Sequence, residues 1–153
     1  MLTHVDKANR PTMVDVGDKA VTTRTASARA RVVFPADAVV QSGEVLRTKK
    51  GPVFETAIIA GVMAAKRTHD LIPFCHPLPL EDCKIDIAWG AQNEVVIQCS
   101  VRATHKTGVE MEALTGASAS QDGRRDGGAH GRERRGAHDL RHVQGAHARH
   151  RDS

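Results

Sequence analysis

The hydrophobic patterning of this 153-residue chain ends abruptly near residue 120. Residues 121–153 contain only two large aliphatic side chains, Leu140 and Val143, among Arg, Gly, His and Ala without any period. A segment of that composition buries too little apolar surface to offset the conformational entropy that ordering would cost. We therefore predict a folded domain over 1–120 and a disordered basic tail over 121–153.

The net charge of +4 belongs mostly to that tail. Residues 121–153 hold eight Arg against four Asp and one Glu, which leaves +1 for residues 1–120. A basic balance normally suggests a nucleic-acid or membrane partner. Aromatic residues are 3% of the chain, too few for base-stacking platforms, and no apolar run is long enough for a membrane span. We expect neither partner, although a basic-tailed nucleic-acid-binding module remains an alternative.

The start of the chain and its cysteines indicate a compartment. No basic segment followed by an apolar stretch opens the sequence, which predicts a cytoplasmic protein. Cys75, Cys83 and Cys99 are odd in number, include no Cys-x-x-Cys pair, and are typical of reduced structural thiols. Cys75, His76 and Cys83 would form a zinc site only with a fourth ligand that the sequence does not offer, so we expect no metal.

Alternation, small-residue stripes and chain breakers predict the secondary structure before residue 120. A stripe of small residues, including Ala57, Gly61 and Ala65, predicts one long helix able to pack closely on a sheet. Two alternating apolar runs around a turn at 90–93 predict an antiparallel hairpin. The predicted elements are strands over 21–34, 83–89 and 95–103 and helices over 36–42, about 53–70 and 111–119.

Strands and helices mixed around one hairpin predict an α+β domain with helices packed on one face of an antiparallel sheet. Thr107 and Glu110 have the spacing of a capping box, which places Glu110 at the N3 position of the last helix. That helix has no apolar continuation after residue 120.

The tail contains a repeat in another reading frame. When the last two bases of each codon are read with the first base of the next, residues 121–134 permit Lys-Thr-Gly-Val-Glu-Met-Glu-Ala-Leu-Thr-Gly-Ala-Ser, the sequence of 106–118. Each shifted codon permits only a few residue types, so thirteen matches in order are not expected by chance. A tandem duplication of fifteen codons plus one base, 46 nucleotides, explains both the offset and the frame.

The shifted frame also continues beyond the repeat. Residues 134–146 permit Val-Ala-Ala-Leu-Thr-Ile-Tyr-Asp-Met-Cys-Lys-Ala, which is apolar at helical spacing and would complete the interrupted helix. We therefore hypothesise a duplication frameshift; the alternative is a genuine disordered tail. The gene tests this directly, because the shifted Met is possible only if Asp126 is encoded GAT.

Three polar stretches before residue 120 could carry chemistry. Lys50 lies in a basic loop that suits a phosphate, although a solvated loop has the same appearance. His76 follows Cys75 in a stiff proline-rich segment, which suits proton transfer or a purely structural role. The predicted capping box would give Glu110 a structural role. Glu112 has no such role and would lie in the first turns of the same helix, near the same site.

Three motifs together resemble one family. They are Met-Val-Asp-Val at 13–16, Leu-Ile-Pro-Phe-Cys-His-Pro-Leu at 71–78 with Ala-Ala-Lys-Arg-Thr at 64–68 before it, and Lys-Thr-Gly-Val-Glu-Met-Glu-Ala-Leu-Thr at 106–115. The chain is similar over about 13–118 to the cyclic pyranopterin monophosphate synthases of molybdenum cofactor biosynthesis. The out-of-frame Tyr-Asp-Met-Cys-Lys-Ala resembles the next motif of that family.

The resemblance implies a ferredoxin-like α+β subunit in a hexamer of three dimers, with sites at subunit boundaries. It implies a lyase, without metal or other cofactor, that converts 3′,8-cyclo-7,8-dihydroguanosine 5′-triphosphate into cyclic pyranopterin monophosphate and releases pyrophosphate. The catalytic candidates it implies are Lys50, His76, Glu110 and Glu112. The substrate-binding candidates are Phe74, which replaces a usual Leu, Cys75, His76, Met111 and Glu112. Lys66 and Arg67 are additional candidates to bind phosphate.

One departure from the family pattern is serious. The catalytic aspartate and the nearby lysine of that family belong to the Tyr-Asp-Met-Cys-Lys motif, which this chain carries only out of frame. In the written frame those places read as Arg141 and Gln144. The sequence is therefore compatible with an enzyme of this family or with its inactive remnant, able at most to oligomerise.

Overall fold

The structure is a computed structural model that describes residues 5–34, 47–48, 51–91 and 93–122. The helix predicted over 36–42 and the candidate Lys50 lie outside these residues. The elements are β1 (Thr22–Val33), β2 (Arg47–Thr48), β3 (Gly51–Pro52), α1 (Val53–Lys66), α2 (Thr68–Leu71), β4 (Asp82–Trp89), β5 (Glu94–His105) and α3 (Glu110–Asp122).

Strands β1, β5 and β4 form an antiparallel sheet with β5 in the centre, and β2 pairs with β3. Ala26 lies opposite Val101 in the β1–β5 ladder, and Ile85 lies opposite Cys99 in the β4–β5 ladder. The predicted hairpin and the predicted first strand are both confirmed. Asn93, in the turn between β4 and β5, has a φ of 58°, a left-handed conformation that asparagine adopts more readily than most residues.

The two faces of the sheet differ as the alternation predicts. The inner face carries Ala26, Ala28 and Ala30 of β1 with the alternate residues of β5, and it packs against the helices. Polar and charged side chains, including those of Arg29 and Arg102, lie on the outer face, where the Ser27 and Ser100 hydroxyls are 3.0 Å apart. One face buried against the core and one face exposed to solvent are typical of an antiparallel sheet in an α+β domain.

The small-residue stripe of α1 packs chiefly against α3 rather than directly on the sheet as expected. Its buried residues recur every fourth position and are Val53, Ala57, Gly61 and Ala65. Gly61 meets Gly116 of α3, where a Cβ on Gly61 would lie 2.7 Å from the Gly116 carbonyl oxygen. The stripe is needed because two helix backbones approach this closely only without intervening side chains.

The helix predicted over 53–70 is interrupted at Arg67. The Arg67 amide donates to the Ala64 carbonyl at 3.0 Å, a tightened last turn that ends α1. Thr68 is buried, and its hydroxyl donates to the Ala65 carbonyl at 2.9 Å. This side-chain bond supplies the carbonyl with a partner that the helical ladder would otherwise provide, so α2 starts as a separate turn.

The predicted capping box is wrong. Helix α3 begins at Glu110, so Glu110 is its first residue and cannot reach back from the N3 position. The Thr107 hydroxyl, which would have capped the helix, is buried without a hydrogen-bond partner. The Glu110 carboxylate instead lies over the backbone of Gly108, where a side chain would collide with it.

The architecture is the predicted α+β fold, a ferredoxin-like arrangement with α1 and α3 on one face of an antiparallel sheet. Its main elements follow the β-α-β-β-α order that begins this motif. Helix α3 continues to Asp122, two residues past the predicted domain limit. Among the described residues, none of the helices has the length and apolar character that a membrane span requires.

Candidate active site

One pocket of about 330 Å³ opens at the end of the sheet where β1 starts and β5 finishes. The segment before β1, the proline-rich loop after α2 and the start of α3 form its walls. The lining residues are Val14, Val16, Lys19, Arg24, Phe74, Cys75, His76, Leu78, Lys106, Thr107, Gly108, Met111 and Glu112.

The proline-rich loop is held by the short helix before it. The Ile72 amide donates to the Thr68 carbonyl at 2.9 Å, and the Cys75 amide donates to the Ile72 carbonyl at 3.0 Å. These two bonds, with prolines on both sides, fix the backbone that carries Cys75 and His76. The loop therefore presents an imidazole and a thiol to the pocket from a constrained backbone.

The opposite wall comes from residues before β1. The Lys106 ammonium donates to the Gly17 carbonyl at 2.6 Å and so ties this segment to the loop between β5 and α3. Val14 and Val16 of the same segment line the pocket. The short apolar run near the start of the sequence thus forms a wall of the pocket.

Positive charge and unsatisfied polar groups gather in this pocket. Lys19, Arg24 and Lys106 all line it. The Thr107 hydroxyl is buried there without a protein partner, and the buried Nδ1 of the neighbouring His105 also lacks one. Because buried polar atoms normally have partners, the Thr107 hydroxyl, which lines the pocket, is placed to hydrogen-bond a molecule that enters it. Cations beside free donors suit an anionic ligand.

Glu112 is the buried acid of the site, with 4% of the residue exposed. Burial raises the pKa of its carboxyl, the nearby Glu110 charge raises it further, and His69 acts in the opposite direction. Burial and the Glu112 charge also raise the pKa of the Cys75 thiol. The raised pKa makes the Glu112 carboxyl a weaker acid than an exposed glutamate, which suits proton transfer. The raised pKa of the Cys75 thiol disfavours the thiolate, so Cys75 is not an activated nucleophile.

The structure brings together five of the seven residues proposed from sequence. Phe74, Cys75, His76, Met111 and Glu112 all line the pocket. Glu110 does not line the pocket, and Lys50 is outside the described residues. The additional phosphate candidates Lys66 and Arg67 lie exposed at the end of α1 and do not line this pocket.

Sequence reasoning missed the cations Lys19, Arg24 and Lys106 as pocket residues. The position of Arg24 could have been predicted from the alternation in β1. Residues two apart in a strand face the same side, so Arg24 places a charge on the inner face that also carries Ala26 and Ala28. A charge at an inward position needs a polar partner, which indicates a site. Lys19 lies in an irregular segment whose path the pattern does not specify. The described residues contain no cluster of three or more His, Cys, Asp or Glu side chains able to hold a metal ion.

Replacing Glu112 by Gln should raise the thermal unfolding midpoint at pH 7 by a few degrees, because it removes a buried charge. The sign follows from the raised pKa of the folded state, since ionised Glu112 opposes folding and protonation relieves that cost. The advantage of Glu112→Gln should therefore shrink as the pH falls from 7 toward 4.5. Unfolding scans between pH 5 and 8 measure it, with Glu81→Gln as an exposed control; a difference independent of pH would contradict this account.

The fold and pocket define an α+β domain with a pocket lined by several cationic side chains and a buried acid. Comparison with known proteins is specific, since residues 13–121 match the MoaC family. The chain belongs to the MoaC family.

Several curated relatives share this region. The cyclic pyranopterin monophosphate synthase of Xanthomonas axonopodis pv. citri is 58% identical over 120 residues, which is 78% of this chain and 73% of that protein. The molybdenum cofactor biosynthesis bifunctional protein of Synechocystis is 48% identical over 125 residues, covering 36% of its own length. The molybdenum cofactor biosynthesis protein 1 of Dictyostelium discoideum is 44% identical over 133 residues, and the match covers 75% of this chain and 21% of that protein.

Proposed function

We propose that this chain is by descent a cyclic pyranopterin monophosphate synthase, a lyase of molybdenum cofactor biosynthesis. Its substrate would be 3′,8-cyclo-7,8-dihydroguanosine 5′-triphosphate, and its products cyclic pyranopterin monophosphate and pyrophosphate. One observation carries the proposal: three cations and an unsatisfied Thr107 hydroxyl share a pocket with a buried acid. Relatives with this name are 58% identical over the same region.

The geometry supports distinct roles for the two sides of the pocket. Lys19, Arg24 and Lys106 would hold the triphosphate and stabilise the pyrophosphate as it leaves. His76 and Glu112 would move protons during ring opening and closure of the cyclic phosphate. Phe74 and Met111 would pack against the base as apolar walls.

Two further roles rest on family resemblance alone. Lys50 would act as an active-site lysine close to the reacting phosphate. Glu110, at the first position of α3, would act as a second carboxylate and already raises the pKa of Glu112 through its charge. The site needs no metal or cofactor in this scheme.

Binding of inorganic triphosphate tests the anion pocket without requiring catalysis. Calorimetry at low salt should show binding, and Lys19→Gln should weaken it several-fold because one charged contact is lost. Lys7→Gln removes the same charge from an exposed residue that does not line the pocket, and it should bind like the unaltered chain. Equal weakening by both variants would show that net charge, not the pocket, holds the anion.

We also propose a cytoplasmic homo-oligomer, a hexamer of three dimers, and a duplication frameshift that leaves 1–120 as the family-like domain. The match to the family ends at residue 121, where the shifted repeat begins, and this supports the frameshift. The second candidate function is an inactive remnant of the enzyme. It is favoured by the catalytic Asp and Lys of the family motif being out of frame.

A further inference from the structure

Residues 13–19, before β1, form a strap along one side of the pocket. They lie outside every helix and strand that the structure describes, and they end in a turn closed by the Lys19 amide, which donates to the preceding Val16 carbonyl at 3.1 Å. Val14 and Val16 are partly buried and line the pocket, whereas Asp15 between them is exposed. The strap therefore presents one side to the pocket without being part of the sheet.

A long-range hydrogen bond ties the strap to the rest of the domain. The ammonium of Lys106, in the loop between β5 and α3, donates to the Gly17 carbonyl at 2.6 Å across 89 positions of the sequence. Lys106 also lines the pocket. An ammonium has three N–H donors, so its bond to Gly17 leaves two for a ligand. Lys106 can therefore hold the strap and an oxyanion at the same time.

The cations of the pocket belong to both of its sides. Lys19 is the last residue of the strap, whereas Arg24 lies in β1 and Lys106 in the loop before α3, and all three line the pocket. A polyphosphate carries several oxyanions, each able to accept from a different cation. An anion that contacts Lys19 and Lys106 together bridges the strap and the domain, and so favours the closed position of the strap.

We propose that the strap closes over a bound polyphosphate and that Lys106 is the positioning residue that couples closure to binding. Such coupling is reciprocal, so an anion that holds the strap more tightly is itself held more tightly when the strap is closed. Closure also excludes water from the charged groups, which strengthens their interaction. The proposal rests on the proposed anion pocket and adds to it a moving part and the residue that controls it.

Hydrogen exchange of the full chain measures closure, read by mass spectrometry on peptides that contain the Lys19 amide, with inorganic triphosphate as the probe. Without triphosphate, Lys106→Met should speed exchange of the strap several-fold, because the bond to Gly17 is lost. Saturating triphosphate should slow this exchange in the unaltered chain, and much less in Lys106→Met. Lys106→Arg keeps the charge and several donors, and should restore most of both effects.

Lys84→Met supplies the matched control. Lys84 is exposed on the outer face of β4 and does not line the pocket. The same change of charge and shape at this position should leave exchange of the strap unaltered, both with and without triphosphate. Exchange of the β5 and α3 amides, measured in the same samples, reports whether each variant remains folded.

The outcomes separate the strap from the anion pocket. Calorimetric binding of triphosphate without slower exchange of the strap would overturn closure and leave the pocket standing. Faster exchange on binding would also overturn it, because the anion would then take Lys106 away from Gly17. Equal exchange in Lys106→Met and the unaltered chain would show that Lys106 acts only as a charge. If no triphosphate binds, the proposed anion pocket falls and closure over an anion falls with it.

Discussion

The chain as written is expected to show no measurable turnover of 3′,8-cyclo-7,8-dihydroguanosine 5′-triphosphate, whereas deletion of one 46-nucleotide repeat should produce turnover. Under the proposed duplication frameshift, this deletion returns the Tyr-Asp-Met-Cys-Lys string to the reading frame. It replaces a tail with two large aliphatic residues by an apolar helical continuation. Loss of a general acid or base alone slows catalysis about 10²–10⁴-fold. Pyrophosphate release is the measurement.

A deletion of 45 nucleotides provides the matched control, because it removes fifteen codons but keeps the written frame and therefore the tail. We expect that variant to remain inactive, although it differs from the active one by a single base. Turnover by the written chain within about tenfold of the frame-restored chain would contradict the role assigned to the out-of-frame motif. Such turnover would also rule out the alternative that the chain is an inactive remnant of the enzyme.

Gly61→Ala is expected to lower the stability of the domain by about 2 kcal/mol and its unfolding midpoint by about 10 °C. In an ordinary helix this substitution is stabilising by up to about 1 kcal/mol, so the structure reverses its sign. The new Cβ would overlap the Ser120 hydroxyl and lie 2.7 Å from the Gly116 carbonyl oxygen. The hydroxyl can rotate, but the carbonyl belongs to the α3 backbone and cannot move without separating the helices.

Ala60→Gly supplies the reference at the neighbouring, half-buried position of α1. Helix propensity alone should make it lose about 1 kcal/mol, and Gly61→Ala should then gain as much if nothing crowds residue 61. Urea unfolding of the frame-restored chain compares the two substitutions directly. A gain in stability for Gly61→Ala would show that α1 and α3 are farther apart than the structure places them.

Much of the fold is readable because its patterns are local. The alternation of Ile85 and Ile87 in β4, and of Ile97 and Cys99 in β5, identifies the hairpin, since side chains of a strand alternate between faces. The break at Arg67 was not readable, because it depends on where the buried Thr68 hydroxyl bonds. The false capping box shows the same limit: spacing at Thr107 and Glu110 is right, but tertiary packing starts the helix later.

The site divides in the same way. The long motifs around His76 and Glu112, which carry the resemblance to the family, mark two of its walls. Lys19 and Arg24 are far from both in sequence and reach the pocket only because β1 lies beside β5 in the sheet. A pattern read along the chain does not reveal which distant cation faces which acid.

The sequence by itself determined the α+β class, the hairpin, the family and the break near residue 120 with its shifted repeat, since each depends on neighbours along the chain or on codons. Only the tertiary structure decided that α1 packs on α3 through Gly61, that Lys106 ties the first segment over the pocket, and that Glu112 is buried. These are properties of residues distant in sequence. Burial and neighbouring charges set the pKa of Glu112, and the packing of distant residues sets how closely α1 approaches α3. Both arise only once the chain has folded.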